Sequence, residues 1–326
     1  MPMTIELGVA ELAATRFAIS PLSETVAGLQ QLAGIDRNAV NLPWLRWARE
    51  ELDSEPLDLS RTWPLLVTGR LGWPEFLVPA PRDSGDSLEN DLVALRRTPE
   101  DRVRASLDRV FGDKLPRAVA ALAEDPASGL REVAKELREA HDRLVAPHWP
   151  RIRAVLDADV GYRARALTAG GAERLFADLH ADLRWRTDRV ILAGERWRDQ
   201  HRVITRGPGG LVLMPVVLGS PYVLVKENTS TQTTIRYPAR GTGALWAAGT
   251  RAPGSSAVRL LGRTRADLLT ALSSPATTTD LAKALGVTPS AVSQHLKVLR
   301  DSGLVARERS GRNVLYLTTP LGQRLL

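Results

Sequence analysis

The chain has 326 residues, 44% hydrophobic and 25% charged, with no cysteine and a formal net charge of +7. That length leaves room for two domains with real cores, and the composition excludes a collagen, a disulfide scaffold, a thiolate metal site and a cysteine nucleophile. No apolar run approaches the roughly 20 residues of a membrane helix. The first residues lack a basic start followed by an apolar stretch, so a cytoplasmic protein with no membrane partner is expected.

The first half reads helical. Ser20-Pro21 is an N-cap followed by proline at the first helical position, and Leu22, Val26, Leu29 and Ala33 follow at helical spacing up to Gly34. Pro-rich connectors follow around Pro43, Pro56, Pro64 and Pro74, with Trp44, Trp47, Trp63 and Trp73 among them. Ser87 starts another helix, and Thr98-Pro99-Glu100-Asp101 offers a capping box for the next. Asp125-Pro126 and Gly170-Gly171 bracket a long helical region that should break near Pro147 and Pro150.

The period then changes. Val190 to Leu192, Val203 to Thr205, Leu211 to Val217, Tyr222 to Lys226 and Thr233 to Tyr237 are short, β-branched runs separated by turn residues. They predict a small antiparallel sheet, with the nearly continuous apolar run Leu211 to Val217 as its central strand. GTRAPGSS at Gly249 to Ser256 predicts a linker. The expected division is an N-terminal α+β domain over 1–250 and a C-terminal domain over 259–326.

Charge is uneven across that division. From Arg259 onward there are ten basic and four acidic residues, whereas the first 258 residues hold 34 and 33. A basic end on a near-neutral body suggests a nucleic-acid module. An Arg-rich solvated surface is the plainer reading, since only five of the 44 basic residues are lysine.

The C-terminal pattern separates the two. Thr264 to Leu272 reads as a helix with Asp267 as the acid of a capping box, and Thr277-Thr278-Thr279-Asp280 starts a second that stops at Gly286. Thr288-Pro289 starts a third, through SAVSQHLKVLRDS to Gly303. Short helices joined by a tight Gly-containing turn make the helix-turn-helix pattern. In the third helix Val292, Leu296 and Leu299 face inward. Ser290, Ser293, Gln294 and Lys297, at i, i+3, i+4 and i+7, form a polar stripe near the N-terminal end that recognition helices place in the major groove. Gln suits adenine, serine hydroxyls suit either base, and lysine reaches guanine or a phosphate. Thr288 caps this helix beside the stripe. His295 is either a phosphate contact or a buried, hydrogen-bonded histidine. LVARERSGRNVLYL then reads as strand, Ser310-Gly311 turn and strand, with Arg307, Arg309 and Arg312 clustered at the turn as a wing along the phosphates.

Leu281 to Leu317, with SAVSQHLKVLRDSGLV and RERSGRNVLY, closely resembles the ArsR-type winged-helix transcription regulators. The pieces RFAISPLSETVAGLQ, NLPWLRWAR, LVAPHWPRIRAVL and YPARGTGALW resemble the long N-terminal extension of a group of actinobacterial ArsR-like regulators. The resemblance implies double-stranded DNA as partner, a homodimer and no catalysis. Family members that sense metals use Cys in the motif's second helix, or Asp and His in a long last helix. Here the matching helix reads TTDLAKAL, and the last segment LGQRLL holds neither His nor acid, so those metal sites are not carried over. His141, His148 and His180 read as surface or capping histidines rather than metal ligands. No cofactor is implied.

Enzyme signatures are missing: there is no GxSxG, P-loop or HExxH. The alternative to a plain regulator is a small-molecule-binding or hydrolase-like domain fused to a DNA reader. Trp44, Trp47 and Trp73, close to prolines rather than in helical stripes, are candidates to line a pocket for an apolar effector. Filling a loop-rich core is their plainer role.

Overall fold

The computed structural model describes residues 3–35, 38–68, 72–81, 87–112, 115–194, 197, 203–204, 210–226, 232–246, 255–272, 275–285, 287–310 and 313–325, with 244, 255–256, 283–284, 309–310, 313 and 320 by backbone alone. The chain forms two compact units: residues 1–36 with 51–240, and residues 37–50 with 241–326.

The first unit opens with β1 (Met3–Glu6), α1 (Val9–Ala13), β2 (Arg16–Phe17) and α2 (Pro21–Leu32). As expected, Ser20 caps α2: its hydroxyl accepts from the Ser23 amide at 2.9 Å. After α3 (Leu42–Ser54), within which the division between units falls, come α4 (Trp63–Leu66), α5 (Leu88–Arg96), α6 (Glu100–Phe111), α7 (Arg117–Glu124) and α8 (Pro126–Ala140). Ser87 and Asp125 cap α5 and α8 through their side chains. The capping box expected at Thr98 does not form: Pro99 holds the N-cap of α6 with no side-chain bond.

The long helical region breaks where the prolines placed the break. A π-turn at His141–Val145 and a 3-10 turn at Ala146–His148 lead into α9 (Trp149–Ala177), which is kinked at Gly170 and Gly171. Buried Asp159 on α9 accepts from the Tyr237 hydroxyl at 2.8 Å and the Arg240 amide at 3.1 Å, and Arg163 lies 3.5 Å from the same carboxylate.

The strands are β3 (Leu183–Arg186), β4 (Arg189–Leu192), β5 (Val203–Ile204), β6 (Val212–Val216), β7 (Leu224–Lys226) and β8 (Thr234–Pro238). The α+β class holds, but the single antiparallel sheet is corrected. Among the described residues this unit has two mixed sheets, ordered β3-β4-β1-β5 and β2-β6-β8-β7. In the second, β6 runs parallel to both β2 and β8, and only β7 is antiparallel. The two N-terminal strands supply the pairing that short hairpin logic overlooks. β6 is fully buried between two neighbours, as its apolar run predicts. Ile5, Phe176, Leu192, Leu213 and Ile235 belong to one core with both sheets around it.

The second unit contains the start of α3, then α10 (Thr242–Leu245), α11 (Ser255–Leu261), α12 (Arg263–Ala271), α13 (Thr278–Leu285), α14 (Pro289–Asp301), β9 (Val305–Ser310), β10 (Asn313–Thr318) and α15 (Pro320–Gln323). The Trp246 indole donates to the Asn41 side chain at 3.1 Å within this unit. Residues 255 and 256, read as linker, begin a helix. Among the described residues, no helix is long and apolar enough to cross a membrane.

Candidate nucleic-acid interface

The C-terminal core consists of Leu268, Leu269, Leu272, Leu281, Ala282, Val292, Leu296, Leu299, Leu304 and Val305. Each helix contributes its apolar stripe and leaves the other face out. α13 starts with a reciprocal cap. The Thr277 hydroxyl accepts from the Asp280 amide at 3.2 Å and donates to the Asp280 carboxylate at 2.7 Å. The matching box at the start of α12 is corrected: Gly262 occupies the cap, and Asp267 pairs with Arg263 one turn away at 3.2 Å.

α14 is held at both ends. Thr288 is extended at φ −77°, ψ 148°, and its hydroxyl accepts from the Ala291 amide at 3.3 Å, with Pro289 at the first helical position. At the other end Gly303, at φ 70°, reverses the chain, and the Leu304 amide reaches back to the Leu299 carbonyl at 2.9 Å. Between these caps Val292, Leu296 and Leu299 are buried. Ser290, Ser293, Gln294 and Lys297 are exposed with Thr288, and His295 is half-buried at the edge of the stripe. The structure thus brings six of the expected contact residues to the N-terminal turns of one helix.

The wing is an antiparallel hairpin in which Asn313 pairs with Ser310, Val314 with Arg309 and Tyr316 with Arg307. Arg307 is exposed. Arg309 lies on β9 with its side chain outside the described residues, as is Arg312 entirely. Tyr316 and Ala276 exchange backbone bonds at 2.9 and 3.1 Å, which adds a bridge to the hairpin's flank. The Thr318 hydroxyl bonds the Leu272 carbonyl at 2.7 Å, and that of Thr319 bonds the Gly303 carbonyl at 2.7 Å. Gly322 packs so close that a Cβ would fall 2.2 Å from the Leu304 carbonyl oxygen. These contacts fix the wing's base against the end of α14.

The other candidates lie elsewhere. Trp44 is buried on α3 and Trp47 is half-buried three residues on, in the second unit; Trp73 belongs to the first. One face of the Trp73 ring carries the Lys226 ammonium, 2.9 Å from its centroid. A cleft lined by Arg61, Leu122, Gly129 and Glu132 includes none of the three tryptophans. Of the histidines, His141 caps the end of α8 and is buried there, its Nε2 with no partner among the described residues, and burial lowers its pKa. His180 contacts the Pro221 carbonyl at 3.1 Å and the Asp182 amide at 3.1 Å. Among the described residues, no three His, Asp or Glu side chains group as metal ligands.

Two helices meeting at a tight turn, an exposed polar stripe on the second and a hairpin directly after it define a winged helix-turn-helix. Residues 263–307 match the family model described as bacterial regulatory protein, arsR family. The C-terminal module is a winged helix-turn-helix similar to that family's, carried behind a long N-terminal domain. Residues 112–243 match a family of unknown function, DUF5937. Over 42 residues the chain is 52% identical to the HTH-type transcriptional regulator NmtR of Mycobacterium tuberculosis (strain ATCC 25618 / H37Rv), which covers 13% of this chain and 35% of that protein. The chain thus spans about a third of the length of the curated relative it matches. No solved structure matches it.

Proposed function

We propose that the protein is a sequence-specific, DNA-binding transcriptional regulator that acts as a homodimer on an inverted-repeat operator and responds to something other than a metal. The observation that carries this reading is the stripe Thr288, Ser290, Ser293, Gln294 and Lys297. It is exposed on the first turns of a helix whose opposite face is wholly buried, with exposed Arg307 on the hairpin that follows. Hydroxyl, amide and ammonium groups at that end match base edges and phosphates in a major groove. One module reads a half-site, so a dimer should prefer half-site centres roughly 34 Å apart. The metal-independent part rests on the absence of cysteine and of acid or histidine in the last helix. No catalysis is assigned to the chain.

Selection of bound sequences from random duplex DNA tests the reading. A palindromic consensus with that spacing is expected; no enrichment over non-specific binding would overturn it. The wing is tested by removing Arg309 and Arg312 together. Binding should weaken on every sequence, and the plot of log K against log salt should flatten by roughly two units. An unchanged slope would remove the wing from the interface.

A further inference from the structure

The sheet β2-β6-β8-β7 carries two buried cations side by side. Lys226 on β7 pairs with Thr234 on β8, and Arg236 lies two residues further along β8, so both side chains leave the same face of the sheet. Lys226 is 8% exposed and Arg236 3%. The Lys226 ammonium bonds the Glu75 carbonyl at 3.3 Å. Arg236 donates through Nη2 to the Ser23 carbonyl at 3.1 Å, while its Nε and Nη1 are buried with no partner among the described residues. Trp73 lies over both cations, its centroid 2.9 Å from Lys226 Nζ and 5.4 Å from Arg236 Cζ.

The negative charge facing them is smaller. Glu24 on α2 attracts Arg236, but it also accepts the Val217 and Leu218 amides at 2.8 and 2.7 Å, and burial pushes its pKa up to about 7. Glu75 also attracts Lys226, but its carboxylate is ion-paired with Arg109. Among the described residues, the two buried cations therefore face only carboxylates that are already committed elsewhere, Glu24 to backbone amides and Glu75 to Arg109. Burial opposes this excess, lowering Arg236 to about 10 and Lys226 well below the usual lysine value. Unpaired buried charge and orphan guanidinium N–H groups are costly, and a bound anion relieves both costs.

We propose that Arg236, Lys226 and Trp73 form a binding site for a small organic monocarboxylate. The carboxylate takes the free N–H groups of Arg236 and the Lys226 ammonium, and its apolar part lies against Trp73. A monoanion costs less to bury beside these groups than a phosphate, which carries about −1.5 to −2 at neutral pH. Among the described residues β7 is an edge strand and Trp73 is half-buried, so the proposed route to the cations runs past the indole ring. The site gives the N-terminal domain an input of its own. It does not depend on DNA reading, so either proposal can fail without the other.

The test uses the full chain, thermal denaturation and tryptophan fluorescence. The probes are acetate, hexanoate and benzoate, against hexanol, benzyl alcohol and inorganic phosphate at matched ionic strength. At least one carboxylate should raise Tm saturably, and the alcohols and phosphate should not. Lys226→Met keeps the buried volume and removes a buried charge, so it should fold. It should weaken carboxylate binding by roughly tenfold or more. Trp73→Phe should keep binding but lose most of the fluorescence change. The proposal is overturned if no carboxylate acts, if phosphate or an alcohol acts equally, or if Lys226→Met binds as the wild type does.

Discussion

The two units handle polar side chains in opposite ways. In the C-terminal unit the polar groups of α14 stand in solvent and the apolar ones are buried, so one helix carries both the fold and the proposed interface. In the N-terminal unit the informative polar groups lie inside: Glu24, Asp91, Asp159, Arg163 and Arg236 are all buried. An exposed stripe costs the fold little and is free to meet a partner. A buried charge must be paid for by local hydrogen bonds, which makes it sensitive to pH and to substitution.

The largest expected effect divides the units through packing. Leu296 is fully buried against α12 and α13, so Leu296→Ala should destabilise the C-terminal unit by about 2–5 kcal/mol. Amide exchange should quicken across α12 to α14 and stay unchanged across α5 to α8. Equal acceleration in both regions would show that the two units unfold as one.

The second effect belongs to the N-terminal unit alone. Burial raises Glu24 from 4.5 to about 7 and Asp91 from 3.8 to about 6. An acid with a raised folded pKa binds its proton more tightly in the native state. Its contribution is therefore full below the unfolded pKa and is lost as pH rises through the folded one. Stability should fall between about pH 4.5 and 7, with Glu24 contributing on the order of 3 kcal/mol. Glu24→Gln loses one of two acceptors for the Val217 and Leu218 amides, so it should be weaker than wild type at pH 4.5. The gap should close as pH rises to 7.5. A constant gap in denaturant titrations across that range would mean that Glu24 does not titrate there.

The same contrast explains what could be read from the chain. The caps at Ser20 and Thr288 are local, set by a residue and its neighbour three places on, and both form as expected, while Ser87 and Asp125 cap the helices whose starts they marked. At α6 and α12 a Pro or Gly takes the cap instead, and the expected boxes are lost. The recognition stripe is visible because its period lies within one helix. The sheets are not, because their pairing is remote. β1 has four residues and β2 two, too short for a periodic signal, and Arg16 of β2 pairs with Val212. Nor could spacing show that Arg236 ends near both Glu24 and Lys226, since that depends on strand order.

A smaller effect tests base reading. Gln294 is exposed in the middle of the stripe, so Gln294→Ala should leave stability unchanged. It should cost about 1–3 kcal/mol on the preferred site and relax choice at one or two positions. Competition assays against random DNA measure the difference. Equal losses on both would make Gln294 a backbone contact.

The smallest effect separates two roles of one side chain. Thr288 caps α14 through its hydroxyl and is exposed at the helix end proposed to face DNA. Thr288→Ala removes the cap and should cost about 1 kcal/mol of stability. By itself that cannot distinguish a fraying helix from a lost DNA contact, because both weaken binding. Thr288→Asp can. Aspartate caps at least as well and its charge favours the helix N-terminus, so stability should match or exceed that of wild type. The same charge repels phosphates. A stable Thr288→Asp protein with weakened binding to all duplexes, most evident at low salt, would place this helix end against the backbone. Full binding by that variant would turn the N-terminal end of α14 away from DNA and take the recognition stripe with it.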